Sequence, residues 1–233
     1  ASRWGRKMPD YVLPPPPVVS VPVDGDSRRF AVRRIFCVGR NYAEHAREMG
    51  GNPDAEPPFF FAKPADAVVE SGAVLPFPVA TADLHHEAEL VVALGAGGAF
   101  VHTDAALSLV WGYAAGNDLT RRDLQAEAKA ARRPWDMSKG FDASAVLGAI
   151  RPGSAVPQGR IRCRVDGRVT QDADLSEMIW PVAGIIAHLS RLVTLAPGDL
   201  IFTGTPAGVG PIAPGQTCVV EVEGLAPAAV SFR

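Results

Sequence analysis

One segment constrains this chain more than any other. Across residues 83–94 (DLHHEAELVVAL) the pattern alternates and is rich in branched side chains, which predicts a strand, and the glycines at 95–98 turn the chain behind it. Glu87 and Glu89 lie two apart inside it. On a pleated strand both carboxylates then project from the same face, a few ångströms apart. Like charges held that close raise each other's pKa unless a cation neutralises them. The surrounding Leu84, Ala88, Leu90, Val91 and Val92 are apolar, which weighs against a solvated strand face. Asp118, in a Gly-Asn-Asp turn just ahead of a helix, supplies a third carboxylate. Three carboxylates and no cysteine suit a hard ion, Mg²⁺ or Mn²⁺. His85 shares the face of the two glutamates and His86 points the other way. A histidine with two carboxylates could hold Fe²⁺ or Zn²⁺, but a single strand histidine is more often a hydrogen-bonded structural residue.

The remaining segments are short. Residues 9 to about 30 are rich in Pro and Val without helical period, which predicts an extended arm with a short strand at 18–23. Residues 35–38 read as a buried strand and 41–49 as a short helix ended by Gly50 and Gly51. Thr120, with Asp123 three residues on, should cap a helix over 121–133 that Pro134 stops. Asp166-Gly167 between alternating segments predicts a hairpin over 160–171. Behind Pro181, the stripe Val182, Ile185, Ile186, Leu189 predicts a second long helix. Residues 199–202 and 217–223 close the chain as strands. With no internal repeat and no long linker, the expected organisation is one strand-dominated α+β domain over 31–233 behind an N-terminal arm at 1–30. Residues 1–7 read as an extension ahead of a start at Met8.

Several function classes are excluded. The net charge of −2 gives no global field for nucleic acid or an anionic membrane. The three cysteines, Cys37, Cys163 and Cys218, are too few for a disulfide framework and lack metal-site spacing, which points to a reducing cytoplasm. No apolar run approaches the roughly 18 residues of a membrane span. There is no P-loop, no dinucleotide fingerprint and no Gly-x-Ser-x-Gly, so a hydrolase built on this chain has to use a metal. His45 and Glu48, three apart on the short helix, could together activate a water. Residues 121–139 hold six basic side chains against three acidic ones, a local excess that could attract a small organic anion. Within it Arg122 and Gln125 share a helix face, and Lys139 stands in a Ser-Lys-Gly-Phe turn. Thr203-Gly204-Thr205-Pro206 could present donors to a carboxylate.

Six blocks taken together resemble the fumarylacetoacetate hydrolase family, and within it the acylpyruvase branch. They are CVGRNYAEHAREMG (37–50), FAKPADAV (61–68), DLHHEAELVV (83–92), GYAAGNDLTRRDLQ (112–125), PWDMSKGFD (134–142) and GDLIFTGTPAGVG (198–210). The resemblance implies a mixed β-sandwich roll and a homodimer. It implies Mg²⁺ or Mn²⁺ on Glu87, Glu89 and Asp118, a water-activating pair in His45 and Glu48, and Lys139 as the active-site lysine. Arg122, Gln125 and Thr205 match the substrate-binding positions. The implied reaction is metal-dependent hydrolysis of a small anionic 2-oxo acid, an acylpyruvate. Fumarylpyruvate plus water giving fumarate and pyruvate, in gentisate breakdown, is the expected case. The alternatives are oxaloacetate decarboxylation or 2-hydroxy-dienoate isomerisation on the same scaffold, and behind them a non-catalytic binder. No nucleic acid or membrane partner is expected.

Overall fold

Strands dominate the computed structural model, which describes residues 11–48 and 57–233. Among the described residues, helices are confined to α1 (Ala43–Glu48), α2 (Arg122–Ala130), α3 (Asp136–Lys139) and α4 (Val182–Leu189), besides short 3₁₀ turns. The largest sheet runs in the order Phe60–Lys63, Arg34–Val38, Asp199–Phe202, Ala88–Leu94, Val110–Asp118, Ala145–Leu147, Val68–Glu70, with Arg151–Pro152 added beside Val110–Asp118. It is mixed: Asp199–Phe202 runs parallel to Arg34–Val38 and antiparallel to Ala88–Leu94. A five-stranded sheet, Arg168–Asp174, Arg160–Val165, Thr217–Val222, Ala228–Phe232, Ala73–Leu75, packs over one face. This is the β-sandwich roll that the resemblance implies.

Successive residues of Ala88–Leu94 feed different cores. Leu90, Val92 and Leu94 join the cluster that also holds Ile161, Cys163 and Val220 of the second sheet, while Val91 and Ala93 join Ile35, Leu200 and Phe202 on the other face. Burial on both faces explains why the apolar run is nearly continuous from Leu90.

The Asp166-Gly167 hairpin forms as expected, with φ of 49° and 78° at the two turn residues. The stripe of α4 is fully buried against the main core. Other expectations need correction. The expected strand at 18–23 forms as Ser20–Val23, but the arm folds back on itself: that strand pairs with Asp26–Ala31 as a hairpin, and Val21 is buried in the second core cluster. Residues 83–94 are two strands, Leu84–His86 and Ala88–Leu94, because the chain changes sheets at Glu87. Asp118 lies at the end of the strand Val110–Asp118, not in a turn. Helix α2 is shorter than expected and Thr120 does not cap it, since the Thr120 hydroxyl donates to Asp118 O at 3.0 Å. Asp123 instead fastens the first turn of α2 to Thr81 Oγ1 and the Ala82 N–H. The expected helix end at Met49, Gly50 and Gly51 and the extension at 1–7 lie outside the described residues.

Candidate active site

The change of sheet at Glu87 builds the site. Three backbone bonds hold the crossing: Glu87 N–H donates to Asn117 Oδ1 (3.0 Å), Ala88 N–H to Gln171 Oε1 (3.0 Å), and Asp118 N–H to Glu87 O (2.9 Å). Glu87, Glu89 and Asp118 thereby converge, with one carboxylate oxygen from each inside a 4.8 Å group, and all three are buried.

Three cations surround them. Lys139 Nζ donates to Glu87 Oε2 at 2.7 Å and Asp118 Oδ2 at 2.9 Å, and Arg122 Nη2 donates to Glu87 Oε1 at 2.6 Å. Lys63 Nζ stands 2.7 Å from Asp118 Oδ1. It is misaligned for a hydrogen bond, being spent on the carbonyls of Leu119 and Lys139, so Asp118 Oδ1 receives none. Burial would raise the Glu87 carboxyl, but Lys139, Arg122 and His45 outweigh it and hold its pKa low. Lys139 is the converse: burial opposes its charge, and Asp118 and Glu87 more than restore it.

Glu89 is different. Its described partner is the Gly204 N–H, at 2.7 Å from Oε2, and it has no cation of its own among the described residues. Burial, then Asp118 and Glu87, push its pKa well above the carboxylate range. A buried carboxylate without a cation, beside an Asp118 oxygen without a donor, fits a divalent ion ligated by oxygens. Three carboxylates against Lys63, Lys139 and Arg122 make the side chains neutral as a set. A dication therefore leaves a net charge of +2, suited to an anionic ligand.

His45 lies on α1, 3% exposed and close enough to Glu87 to lower its pKa. Glu48 is the last residue of α1, and its side chain lies outside the described set. Gln125 Oε1 accepts from Arg122 Nη1 at 2.6 Å, and Thr205 Oγ1 accepts from Gln171 Nε2 at 2.7 Å. His85 is not among the clustered carboxylates. Its Nε2 faces Asp83, its Nδ1 accepts from Arg122 Nε, and burial followed by Arg122 lowers its pKa. It is therefore a neutral group that orients Arg122.

Three contributors have no assigned role in the motifs above. Lys63 carries a signal, a lysine closing the apolar run 59–62, which burial obliges to find a carboxylate. Gln171 accepts from Ala88 N–H, faces His86 Nδ1, and donates to Thr205 and to Pro206 O. Asn41 ties Thr203 O to both backbone groups of Trp180. The bonds of these two amides span more than thirty residues, and no local pattern announces them.

Such a trio within this mixed roll is a candidate divalent-metal centre, and comparison with known proteins gives the class of protein that carries it. The family model described as fumarylacetoacetate (FAA) hydrolase C-terminal matches residues 34–233, and the chain belongs to this family. Fumarylpyruvate hydrolase of a Ralstonia species is 45% identical over 173 residues, 73% of this chain and 90% of that protein. Mitochondrial oxaloacetate decarboxylase of Dictyostelium discoideum is 39% identical over 197 residues, covering 83% and 90%. The crystal structure of fumarylpyruvate hydrolase from Pseudomonas aeruginosa in complex with Mn²⁺ and pyruvate superposes with a TM-score of 0.93 at 44% identity, over 96% of this chain and 99% of that one.

Proposed function

We propose that this protein hydrolyses the carbon–carbon bond of an acylpyruvate, with fumarylpyruvate as substrate, using Mn²⁺ or Mg²⁺ held by Glu87, Glu89 and Asp118. The observation that carries the reading is His45, a buried histidine near enough to Glu87 to lower its pKa, to which we assign the role of base. Hydrolysis needs a group to deprotonate water, and decarboxylation does not. The likeness to two fumarylpyruvate hydrolases, one of them with Mn²⁺ and pyruvate bound, supports the same choice. When bound, a divalent ion polarises the 2-oxo acid and offsets the negative charge that develops on it.

The chain's own residues do the rest. Thr205 O–H donates to the substrate's 1-carboxylate, and Arg122 with Gln125 fixes the 2-oxo acid over the trio. His45, oriented by Glu48, takes a proton from water, whose oxygen bonds to the 4-oxo carbon. Lys139 stabilises the resulting oxyanion. The C3–C4 bond then breaks with its electron pair left on C3, the proton held by His45 passes to that carbon and completes pyruvate, and the acyl part leaves as the acid, which ionises to fumarate.

Residues 31–233 are the catalytic unit in this proposal, with 1–30 outside the chemistry. A homodimer, a cytoplasmic location and a place in gentisate breakdown belong to it as well. No helix among the described residues is long and apolar enough to cross a membrane. Oxaloacetate decarboxylation is the second reading, favoured by the Dictyostelium relative. Incubating the Mn²⁺-loaded protein with fumarylpyruvate, acetylpyruvate and oxaloacetate separates the two. Fumarate and acetate released with pyruvate support hydrolysis, and carbon dioxide from oxaloacetate with both acylpyruvates intact refutes it.

A further inference from the structure

Outside the trio the site carries two part-buried cations, Arg40 and Lys129, with no carboxylate partner among the described residues. Both rest on aromatic rings. The Arg40 guanidinium carbon is 5.7 Å from the Phe59 ring centroid, Lys129 Nζ is 5.3 Å from that of Trp135, and the two rings meet edge to face at 5.6 Å. Trp135 also meets Phe61 at 5.9 Å, and Phe61 lies 5.0 Å from Lys139 Nζ. An aromatic ladder thus runs from Lys139 to the two outer cations. The chain makes room for it at Gly39, where a Cβ would fall 2.0 Å from the Phe59 ring.

Lys129 follows Arg122 and Gln125 on one face of α2. Seven residues beyond Arg122, it lies about 10 Å further along the axis, and its side chain leans back toward the N-terminal end. Burial, then Arg122 and Arg40, hold its pKa below the usual lysine value. Two cations gathered on aromatic walls, with no carboxylate paired to either among the described residues, make a receptor for an anion that arrives with the ligand.

We propose that Arg40 and Lys129, seated on Phe59 and Trp135, bind the terminal carboxylate of the acyl group, so that the enzyme selects acylpyruvates whose acyl chain ends in an anion. This rests on the reading of the inner site as one for 2-oxo acids. From its 2-oxo carbon to its far carboxyl, fumarylpyruvate spans roughly 6 Å over five bonds of about 1.5 Å, which carries that carboxylate well away from the 2-oxo acid head. The second carboxylate of oxaloacetate stands only two bonds from the 2-oxo carbon, three bonds short of the position the far carboxylate of fumarylpyruvate takes.

The test compares 2-oxoheptanedioate with 2-oxoheptanoate by calorimetry on the Mn²⁺-loaded protein. These ligands differ in the far carboxylate, and neither has the 4-oxo group that cleavage needs. The wild type should bind the diacid at least ten-fold more tightly, and Lys129→Met with Arg40→Gln should abolish the difference while leaving 2-oxoheptanoate affinity within about two-fold. The same pair should lower kcat/KM for fumarylpyruvate, mainly through KM, and spare acetylpyruvate. Equal affinity for the two acids in the wild type, or a preference that survives the double substitution, overturns the subsite. Discrimination between the acids with neither acylpyruvate cleaved sinks the hydrolase reading and leaves the subsite standing.

Discussion

Lys139 and Glu87 form a buried ion pair, with Nζ 2.7 Å from Oε2 and neither side chain more than 7% exposed. The same ammonium reaches Asp118, so one cation ties together two of the three converging carboxylates. Nothing short of another cation can replace it. The pair therefore links the fold's stability to the chemistry proposed for the site.

Lys139→Met leaves Glu87 with Arg122 and Asp118 with the misaligned Lys63. Removing one partner of a buried pair costs about 3–5 kcal/mol. The metal-free variant should melt well below the wild type and regain part of the loss with Mn²⁺, read by calorimetry at both metal states. Its kcat should fall by roughly 10²–10³ if Lys139 also stabilises the oxyanion.

Glu89 makes metal-free stability depend on pH. Below about pH 4 its carboxyl is protonated whether the chain is folded or not. Above the ordinary carboxylate range the unfolded chain loses that proton and the fold keeps it, so metal-free stability falls as pH rises until the raised pKa is passed. Glu87, whose pKa is lowered, is ionised in both states across that window and adds no slope. Mn²⁺ must displace the retained proton, so its affinity rises with pH over the same interval. Glu89→Gln should flatten the metal-free slope and weaken Mn²⁺ binding, both measurable by thermal melts from pH 5 to 8.

Gln171 clasps the crossing at Ala88 to the loop of Thr205 and Pro206. Gln171→Leu strands a buried Ala88 N–H and releases Thr205, at about 1–3 kcal/mol for each group left unpaired. The melting temperature should drop, and KM should rise more than kcat falls, because Thr205 is the group proposed to meet the substrate. Gln171→Glu keeps the acceptor for Ala88 and loses the donor to Thr205. It should recover stability more than KM, whereas a purely structural role predicts that the two recover together.

Much of the site is legible in the chain because its residues carry local signals. Glu87 and Glu89 sit two apart in an apolar run, and Arg122 and Gln125 share a helix face. The strand Val110–Asp118 is harder to see. Its glycines and alanines carry no strand signature, yet Gly116 is there because a Cβ would lie 2.5 Å from Val91 Cγ2 and 2.8 Å from the Phe202 ring. That close packing between neighbouring strands has no signature in the segment itself. Asp24-Gly25 carried the same turn signature as Asp166-Gly167, but four prolines upstream masked the hairpin. The break at Glu87 depends on Asn117 and Gln171, thirty and eighty-three residues away from the N–H groups they receive. Alternation alone extends the strand straight through it.

The most direct measurement of the central claim is fumarate release from fumarylpyruvate by wild type and His45→Ala at saturating Mn²⁺, with Mn²⁺ binding measured on both proteins. The account predicts that the variant binds Mn²⁺ within a few-fold of the wild type and loses about 10²–10⁴ in kcat, the contribution of a positioned general base. Wild-type turnover by His45→Ala with the metal bound would contradict it.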